Sequence, residues 1–317
     1  MRKNVTPGAA IAFAIATMLG IAHAQDGYPV KPIRIVSPAA GGGSDFVARL
    51  LAPKMSEALG QQVIVDNRGA ISAEVVAKAA PDGYTLHVNG PPLWVLPMMR
   101  PAAWDPLKDF VPVSLAVTSP SILAVHPSLP VKTVKDVIAL AKARPGQLNY
   151  AAGTIGAAPH LAGELFKSMA GVNIVRVPYK GSGPALIGLM TGEAQIMFPA
   201  ASGIGYIKQG KIRAIAVGSA EPSPLLPGVP TIAASGLPGY ESVSPQGLFA
   251  PARTPPAIVN RLSQEVARAL SGAEVRERLL ASGVQVVAST PEAFAAAMRA
   301  DIDRTAKLIK SANIKAD

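Results

Sequence analysis

Short runs of apolar and β-branched residues alternate with longer segments of helical periodicity near the start of the chain. The short runs lie at residues 33–37, 63–66 and 84–89, and the longer segments lie at 46–59 and 73–79. In the first longer segment the apolar positions recur every three or four residues, which indicates a helix with one buried face. This alternation of strands and helices predicts a parallel sheet covered by helices.

A second alternating series follows residue 128 and has the same character. Its predicted elements are a helix at 134–143, a strand at 148–151, a helix at 160–169, a strand at 174–177, a helix at 185–190, and strands at 194–198 and 212–217. Thr133 and Asp136 have the spacing of a capping box at the start of the first of these helices. The sequence therefore predicts a second α/β lobe.

Two extended stretches connect the series, one at residues 111–125 and one at 247–250. The C-terminal segments are helices at 256–270, 273–281 and 291–311 and a short strand at 284–287. These late helices have little sheet of their own, so we expect them to pack on the first lobe. The prediction is an α/β fold of two lobes joined by two crossover strands. Lobe 1 would comprise residues 25–122 and 247–317, and lobe 2 residues 123–246.

The first 24 residues are predicted to be a secretory signal peptide. Arg2 and Lys3 precede an uncharged apolar run at residues 9–21, and Ala24 ends a small-residue motif that suits signal peptidase. The apolar run is shorter than the roughly 20 residues that a membrane-spanning helix needs. We therefore expect cleavage after Ala24 and export of the remaining chain.

Composition narrows the classes of function. The chain has no cysteine, which excludes disulfides, thiolate metal sites and cysteine nucleophiles. Its formal charge is +10, and loss of Arg2 and Lys3 with the signal peptide leaves +8, so anions are the favoured partners. The basic residues are scattered and aromatic residues make up only 5%, so nucleic acid is not expected as a partner.

The strongest local signal is the glycine-rich stretch at residues 37–45, between the first predicted strand and the first predicted helix. Gly41, Gly42 and Gly43 allow backbone N–H groups to approach a ligand, and the helix N-terminus behind them favours negative charge. One interpretation is an anion-binding cradle. The other is a glycine turn in which Ser44 or Asp45 is the N-cap of the helix.

Lobe 2 has two comparable loops that follow predicted strands, at residues 151–156 and 179–183. Ligands of open α/β sheets bind beyond the carboxyl ends of strands, so these loops could face the first one across a single cleft. For Tyr179 and Ser182 the alternative to ligand binding is a role in forming the turn. For Lys180 the alternative is a solvated surface charge.

Enzyme motifs are scarce. His87, His126 and His160 lack the spacing of metal ligands, so neither a metal nor another cofactor is predicted. The stretch at 205–212 resembles a phosphate-binding loop, but Ile212 replaces the metal-binding hydroxyl and a strand follows, so we interpret it as a turn. There is no Gly-x-Ser-x-Gly elbow and no dinucleotide fingerprint. We therefore predict that the protein is not an enzyme.

Nearly the whole exported chain resembles the Bug-type substrate-binding proteins of tripartite tricarboxylate transporters. The motifs that carry this resemblance are Tyr28-Pro29, Lys31-Pro32-Ile33, Gly41-Gly42-Gly43-Ser44-Asp45, Leu59-Gly60-Gln61, Asp66-Asn67-Arg68, Pro81-Asp82-Gly83-Tyr84-Thr85-Leu86, Lys108-Asp109-Phe110, Pro130-Val131-Lys132-Thr133, Pro145-Gly146, His160-Leu161-Ala162-Gly163-Glu164, Pro178-Tyr179-Lys180-Gly181, Val229-Pro230-Thr231 and Gly236-Leu237-Pro238-Gly239-Tyr240. Each motif is short, and their order along the chain makes the resemblance specific.

The resemblance implies a periplasmic binding protein of type II-like fold that closes over a small carboxylate and docks on a membrane permease. We expect it to be a monomer. Backbone N–H groups and ordered waters of the first loop would hold the carboxylate, and Asp45 would orient that loop and cap its helix. The residues expected to bind the ligand are Ala39, Ala40, Gly41, Gly42, Gly43, Ser44, Asp45, Asn89, Thr154, Ile155, Gly156, His160, Tyr179, Lys180, Gly181, Ser182 and Pro199.

The sequence departs from the family pattern at three places that bear on ligand choice. Gly69-Ala70-Ile71-Ser72 is shorter than the usual glycine-rich loop, Pro199 replaces a common acidic residue, and Ser244-Pro245-Gln246 replaces a common aromatic one. We expect a missing wall of the cleft and an altered specificity. Dicarboxylates, amino acids and aromatic acids stay open as ligands. A binding protein for a membrane sensor and a secreted hydrolase stay open as alternative functions.

Overall fold

The computed structural model describes residues 27–153, 155–224, 226–281, 283–312 and 314. The predicted signal peptide and its cleavage site lie outside the described residues. Within the described part of the chain, no helix combines the length and the apolar character that crossing a membrane would require.

Eleven strands and ten α-helices make up the described chain. In chain order they are β1 (Ile33–Ser37), α1 (Gly43–Leu59), β2 (Val63–Asn67), α2 (Ser72–Ala77), β3 (Thr85–Asn89), α3 (Pro92–Met99), β4 (Phe110–Pro120), β5 (Ile122–Val125), α4 (Val134–Ala143), β6 (Asn149–Ala152), α5 (Ala158–Ala170), β7 (Val175–Pro178), α6 (Ser182–Thr191), β8 (Ile196–Met197), α7 (Ile204–Lys208), β9 (Arg213–Val217), β10 (Val243–Pro251), α8 (Pro256–Ala269), α9 (Ala273–Ala281), β11 (Gln285–Val286) and α10 (Pro291–Ser311). Short 3-10 turns at Gly69–Ile71 and Ala201–Gly203 precede α2 and α7.

Lobe 1 is built on a six-stranded sheet in the order β11-β4-β10-β3-β1-β2. β1 pairs in parallel with β2 and β3, and β10 pairs antiparallel with β3 and β4. The core under α1 joins Leu51 of that helix to Leu86 of β3 and Leu262 of α8. Phe294 and Met298 of α10 pack in a second cluster with Trp94 of α3. The late helices thus pack on lobe 1, as predicted.

Lobe 2 is built on a five-stranded sheet in the order β7-β6-β8-β5-β9. Phe166 and Phe198 lie in the core on one face of this sheet, and Leu186 and Met197 lie in the core on the other. The predicted capping box at the start of α4 is present, since Thr133 Oγ1 accepts from the amide of Asp136 and the Asp136 carboxylate accepts from the amide of Thr133.

The chain crosses between the lobes twice, and the two crossings lie side by side. The amide of Ser121 donates to Ser242 O at 3.0 Å, and Val243 of β10 pairs with Pro120 of β4. The expected α/β fold of two lobes with paired crossovers is therefore confirmed. β10 joins the lobe 1 sheet from Val243 onward, which is earlier than the predicted boundary at residue 247.

Three local predictions differ from the structure. Helix α3 was not predicted, because Pro97 lies inside it and its residues are apolar with no polar face. The strand expected at 194–198 shortens to the two residues of β8. The stretch interpreted as a turn contains helix α7, whose Ile204 is buried together with Ile212 in the lobe 2 core.

Candidate ligand-binding cleft

A cleft of about 610 Å³ lies between the two lobes. Lobe 1 contributes a loop at residues 38–44 and part of the chain after β3, and lobe 2 contributes residues 157–159 and 180–184. The predicted site residues that line it are Ala39, Ala40, Gly41, Gly42, Gly43, Ser44, Asn89, Lys180, Gly181 and Ser182. The structure thus brings loops from both lobes to one cavity.

The lobe 1 loop at residues 38–44, which we call the anchor loop, ends in helix α1 with unpaired amides. The N-cap is Gly42, which has an extended conformation and no side chain to cap the helix. The amide of Phe46 donates to Gly42 O at 3.0 Å, whereas the amides of Gly43, Ser44 and Asp45 have no acceptor among the described residues. These donors at the positive end of a helix form an arrangement that suits an anion.

Asp45 holds the anchor loop in place. Its carboxylate accepts hydrogen bonds from the amide of Gly41 at 2.9 Å, Arg49 Nε at 3.0 Å and Asn67 Nδ2 at 2.9 Å. Burial acts to raise the pKa of Asp45, but the hydrogen bonds from Arg49, Gly41 and Asn67 outweigh it and hold the pKa below its ordinary value. The expectation that Ser44 or Asp45 caps the helix was wrong, because the N-cap is Gly42.

Gln246 joins the second crossing to the anchor loop. The hydroxyl of Ser44 donates to Gln246 Oε1 at 2.7 Å, and Gln246 Nε2 donates to Ser244 Oγ at 3.4 Å. Gly90 has to be a glycine here, since a Cβ would lie 2.5 Å from Pro245 O and 2.6 Å from Gln246 Nε2. The departure from the family pattern at residues 244–246 therefore places the polar side chain of Gln246 in the cleft, although Gln246 was not among the predicted site residues.

Asn89 lies in the cleft at the end of β3 and is held by His87. Asn89 Nδ2 donates to His87 Nε2 at 2.9 Å, and Asn89 Oδ1 accepts from the amide of Gly90 at 2.8 Å. His87 Nδ1 donates to Val36 O at 3.0 Å. Burial lowers the pKa of His87 to about 4, so the imidazole is neutral at pH 7 and both of its nitrogens are engaged.

The first loop of lobe 2 reaches the cleft at Ala157, Ala158 and Pro159, which were not in the predicted set. Ile155, Gly156 and His160 lie beside the lining rather than in it, and Thr154 lies outside the described residues. His160 Nδ1 accepts from the amide of Gly156 at 3.1 Å, and burial lowers the pKa of His160 to about 4. The imidazole thus shapes the loop.

Tyr179 and Pro199 also lie outside the lining. The ring of Tyr179 packs on Gly188 of α6, where a Cβ would lie 2.1 Å from the hydroxyl, and burial raises its pKa to about 12. Pro199 packs on Gly203 and its carbonyl accepts from the amide of Ile122 at 2.8 Å. A direct role of these two residues in binding stays a prediction.

Other lining residues were missed because their sequence context carries no motif. They include Pro38, Phe46, Leu96, Arg100, Trp104, Ser119, Ala200, Ala201, Ser202 and Val284. Gly69, Ala70 and Ser72 also line the cleft, so the short segment before α2 forms part of the wall that we expected to be missing.

The charges around the cleft have one sign. Among the lining residues that the structure describes, the charged side chains are Arg100 and Lys180, and none is a carboxylate. Neither cation forms an ion pair within the described residues. The cleft therefore combines free cationic side chains with the unpaired amides of the anchor loop, and this combination favours a negatively charged ligand.

The lobes touch on both sides of the cleft. On one side, a Cβ on Gly156 would lie 3.0 Å from Val95 Cγ1 of α3. On the hinge side, the hydroxyl of Ser119 donates to Gly283 O at 2.7 Å and accepts from the amide of Ala201 at 3.0 Å. The cleft therefore lies between lobes that are in direct contact.

Two α/β lobes, a paired crossover and a cleft between them define a two-lobed solute-binding protein. The family model described as "Tripartite tricarboxylate transporter family receptor" matches residues 47–314. The chain also resembles the protein BugT of Bordetella pertussis, at 37% identity over 97% of each chain. This chain therefore belongs to the tripartite tricarboxylate transporter receptor family, which confirms the predicted resemblance.

Solved structures of similar proteins agree with this assignment. The Rhodopseudomonas palustris protein Rpa4515, solved with adipate, is 36% identical with a TM-score of 0.86, covering 91% of this chain and 99% of its own. MatC of the same organism, solved with bound malate, is 32% identical with a TM-score of 0.83, covering 89% and 100%. The periplasmic binding protein BugD is 32% identical with a TM-score of 0.83, covering 91% and 99%. The family consists of solute-binding receptors, and its solved members are periplasmic binding proteins.

Proposed function

We propose that the protein captures a small carboxylate in the interlobe cleft and delivers it to the membrane permease of a tripartite tricarboxylate-type transporter. The observation that carries this proposal is the set of amides at Gly43, Ser44 and Asp45 that have no acceptor among the described residues. Gly43 and Ser44 line the cleft, and none of the described lining residues is a carboxylate. Adipate and malate, the ligands in the similar structures, are both carboxylates and support the same ligand class.

Backbone donors supply most of the proposed affinity. The helix macrodipole contributes only about 0.3–1 kcal/mol, and up to about 2 kcal/mol in a partly buried site. A hydrogen bond to a charged group contributes about 1.5–3 kcal/mol, so two or three amide bonds to a carboxylate exceed the dipole. Because Asp45 already orders the anchor loop, the ligand meets donors that are held in position.

The proposed function is binding without catalysis. Among the described lining residues, no serine hydroxyl is hydrogen-bonded to a histidine, and the two buried histidines beside the cleft have low pKa values that keep them neutral. We propose further that the chain is exported to the periplasm, is cleaved after Ala24, and works as a monomer.

A ligand screen tests the proposal directly. We would measure thermal unfolding of the mature protein with succinate, malate, adipate and benzoate, and with the corresponding amides as matched neutral controls. A carboxylate at about 100 times its Kd should add about 2.7 kcal/mol to the free energy of unfolding. Stabilisation by neutral sugars or amines alone would contradict the proposed carboxylate site. Uptake of the ligand in cells with and without the gene would then test delivery to a permease.

A further inference from the structure

The cleft is lined not only by the anchor loop but also by a later segment of lobe 1. Leu96, Arg100 and Trp104 line it from the segment that follows β3, together with Pro91 and Pro92. The indole N–H of Trp104 donates to Leu93 O at 2.8 Å, which fixes the ring as part of the wall. Apart from Arg100, the lining side chains of this segment are apolar or aromatic.

Arg100 forms no ion pair within the described residues, unlike two other arginines of lobe 1. Arg49 contacts the Asp45 carboxylate at 3.0 Å, and Arg68 contacts Asp66 at 2.8 Å. The acid nearest to Arg100 in the chain, Asp105, is engaged by Lys108 at 3.0 Å.

The backbone of Arg100 is held in place, whereas its side chain is exposed at the cleft. Its amide donates to Leu96 O at 3.0 Å and ends helix α3. A cation at a helix C-terminus also interacts favourably with the helix macrodipole, so a purely structural role is the alternative that an experiment has to separate.

We propose that Arg100 is a second anchor that binds the distal carboxylate of a dicarboxylate whose spacer is apolar and lies against Leu96 and Trp104. Guanidinium binds carboxylate in a bidentate manner, which gives both strength and orientation. The cleft volume of about 610 Å³ falls in the range of about 300–1,000 Å³ typical of sites for drug-sized ligands, so it has room for a spacer longer than that of a four-carbon acid. This inference rests on the proposed function, in which the anchor loop holds the other carboxylate.

Two probes that differ by one carboxylate test this inference. We would measure the Kd of adipate and of hexanoate by calorimetry for the mature protein, for Arg100→Gln and for Arg100→Lys. Arg299→Gln is the matched control, because Arg299 is an exposed arginine of α10 outside the cleft. The wild-type protein should bind adipate at least tenfold more tightly than hexanoate, which is the effect of one charge-assisted hydrogen-bonding group.

Arg100→Gln should abolish this difference in affinity. Its affinity for adipate should fall at least tenfold, while its affinity for hexanoate should stay the same or increase. Arg100→Lys should recover part of the difference, and Arg299→Gln should retain all of it.

The outcomes separate the two proposals. If no carboxylate binds, the proposed function fails. If adipate and hexanoate bind equally, or if Arg100→Gln weakens both equally, carboxylate binding stands and the second anchor is overturned. The melting temperatures of the unliganded variants show whether Arg100 matters only for folding: a large decrease in Arg100→Gln with an unchanged ratio of the two Kd values would also overturn it.

Discussion

The two lobes present helix N-termini to the same cleft, but they offer different numbers of backbone donors. Helix α1 of lobe 1 begins with three unpaired amides, at Gly43, Ser44 and Asp45. Helix α5 of lobe 2 has Pro159 in its first turn, and helix α6 has Pro184 there. Proline has no N–H group, so each of these prolines removes a donor that an anion would otherwise use.

The loops also differ in how they are held. The carboxylate of Asp45 ties the anchor loop of lobe 1 to Arg49 and Asn67. The N-cap of α6 is Gly181, which has a φ of 121° and no capping side chain. We infer that lobe 1 carries the preorganised half of the site, whereas lobe 2 closes over the ligand and mainly excludes water.

Lowering the pH should produce the largest change in the free energy of unfolding, and it should destabilise both lobes. His87 in lobe 1 and His160 in lobe 2 have folded-state pKa values of about 4, below the ordinary value of about 6.5. The unfolded chain therefore takes up protons first, so stability is full above pH 6.5 and falls as the pH decreases toward 4. Each histidine contributes a slope of up to about 1.4 kcal/mol per pH unit.

Urea unfolding between pH 8 and pH 4 measures this slope. His87→Gln should remove the lobe 1 part, and His160→Gln should remove the lobe 2 part. A pH dependence that is unchanged in both variants would show that other groups dominate.

Asp45→Ala should have the next largest effect, because it leaves the amide of Gly41 and the side chains of Arg49 and Asn67 without their acceptor. We expect a loss of about 2–3 kcal/mol in the free energy of unfolding and at least a tenfold loss of carboxylate affinity. Denaturant unfolding and calorimetry measure the two effects. Asp136→Ala is the control, since Asp136 is an exposed capping residue of lobe 2; it should reduce stability less and leave affinity unchanged.

Gly156→Ala should weaken contact between the lobes. Gly156 has a φ of 75°, and a Cβ there would press on Val95 of lobe 1. Gly171→Ala is matched to it, with a φ of 61° and open space around the added Cβ. Both variants should lose about 1–2 kcal/mol of stability from backbone strain. Only Gly156→Ala should also lower ligand affinity severalfold, and equal affinities in the two variants would argue against closure through this contact.

Gly41→Ala and Gly183→Ala compare the two loops by the same substitution. Both added Cβ atoms would meet open space, but Gly41 has a φ of 75° whereas Gly183 has no positive φ. Gly41→Ala should therefore lose about 1–2 kcal/mol of stability. Gly183→Ala should lose no stability. Thermal unfolding of the two variants measures the difference. A comparable loss in both would mean that the lobe 2 loop is as constrained as the anchor loop.

Lys180→Ala should have the smallest effect. Lys180 is an exposed point charge of lobe 2, and salt screens such charges. We expect a loss of affinity of no more than about threefold at 0.15 M salt, corresponding to less than about 1 kcal/mol, and a larger loss at low salt. A large loss that is independent of salt would instead assign Lys180 a direct, buried contact with the ligand.

The sequence predicted those parts of the fold whose periodicity is local. Helices at residues 134–143 and 291–311 were predicted with their observed bounds, since each has a proper cap and an amphipathic pattern. Helix α3 could not be predicted in the same way. It is stabilised by tertiary packing of Leu93, Trp94 and Val95 against lobe 1, and this information is absent from the local pattern.

The residues of the candidate site also differ in whether a local sequence signal marks them. The anchor loop was recognisable because glycines before a helix are a local signal. Arg100 and Gln246 reach the cleft only through the path of the chain after β3 and along β10, and nothing in their immediate sequence marks them. Gly156 was expected to bind ligand because its loop follows a strand, and His160 because of the family resemblance. The structure places both behind the lining, where they shape the loop.

The contacts proposed between the anchor loop and the ligand are made by main-chain atoms, which affects how the ligand specificity of such a protein can evolve. Most point mutations replace side chains and leave peptide groups where they were. Substitutions of wall residues such as Leu96, Trp104 or Gln246 can therefore change which ligand is bound. The backbone amides that bind the carboxylate group common to all these ligands are retained. Duplicated copies of such a gene would start their divergence with binding already in place.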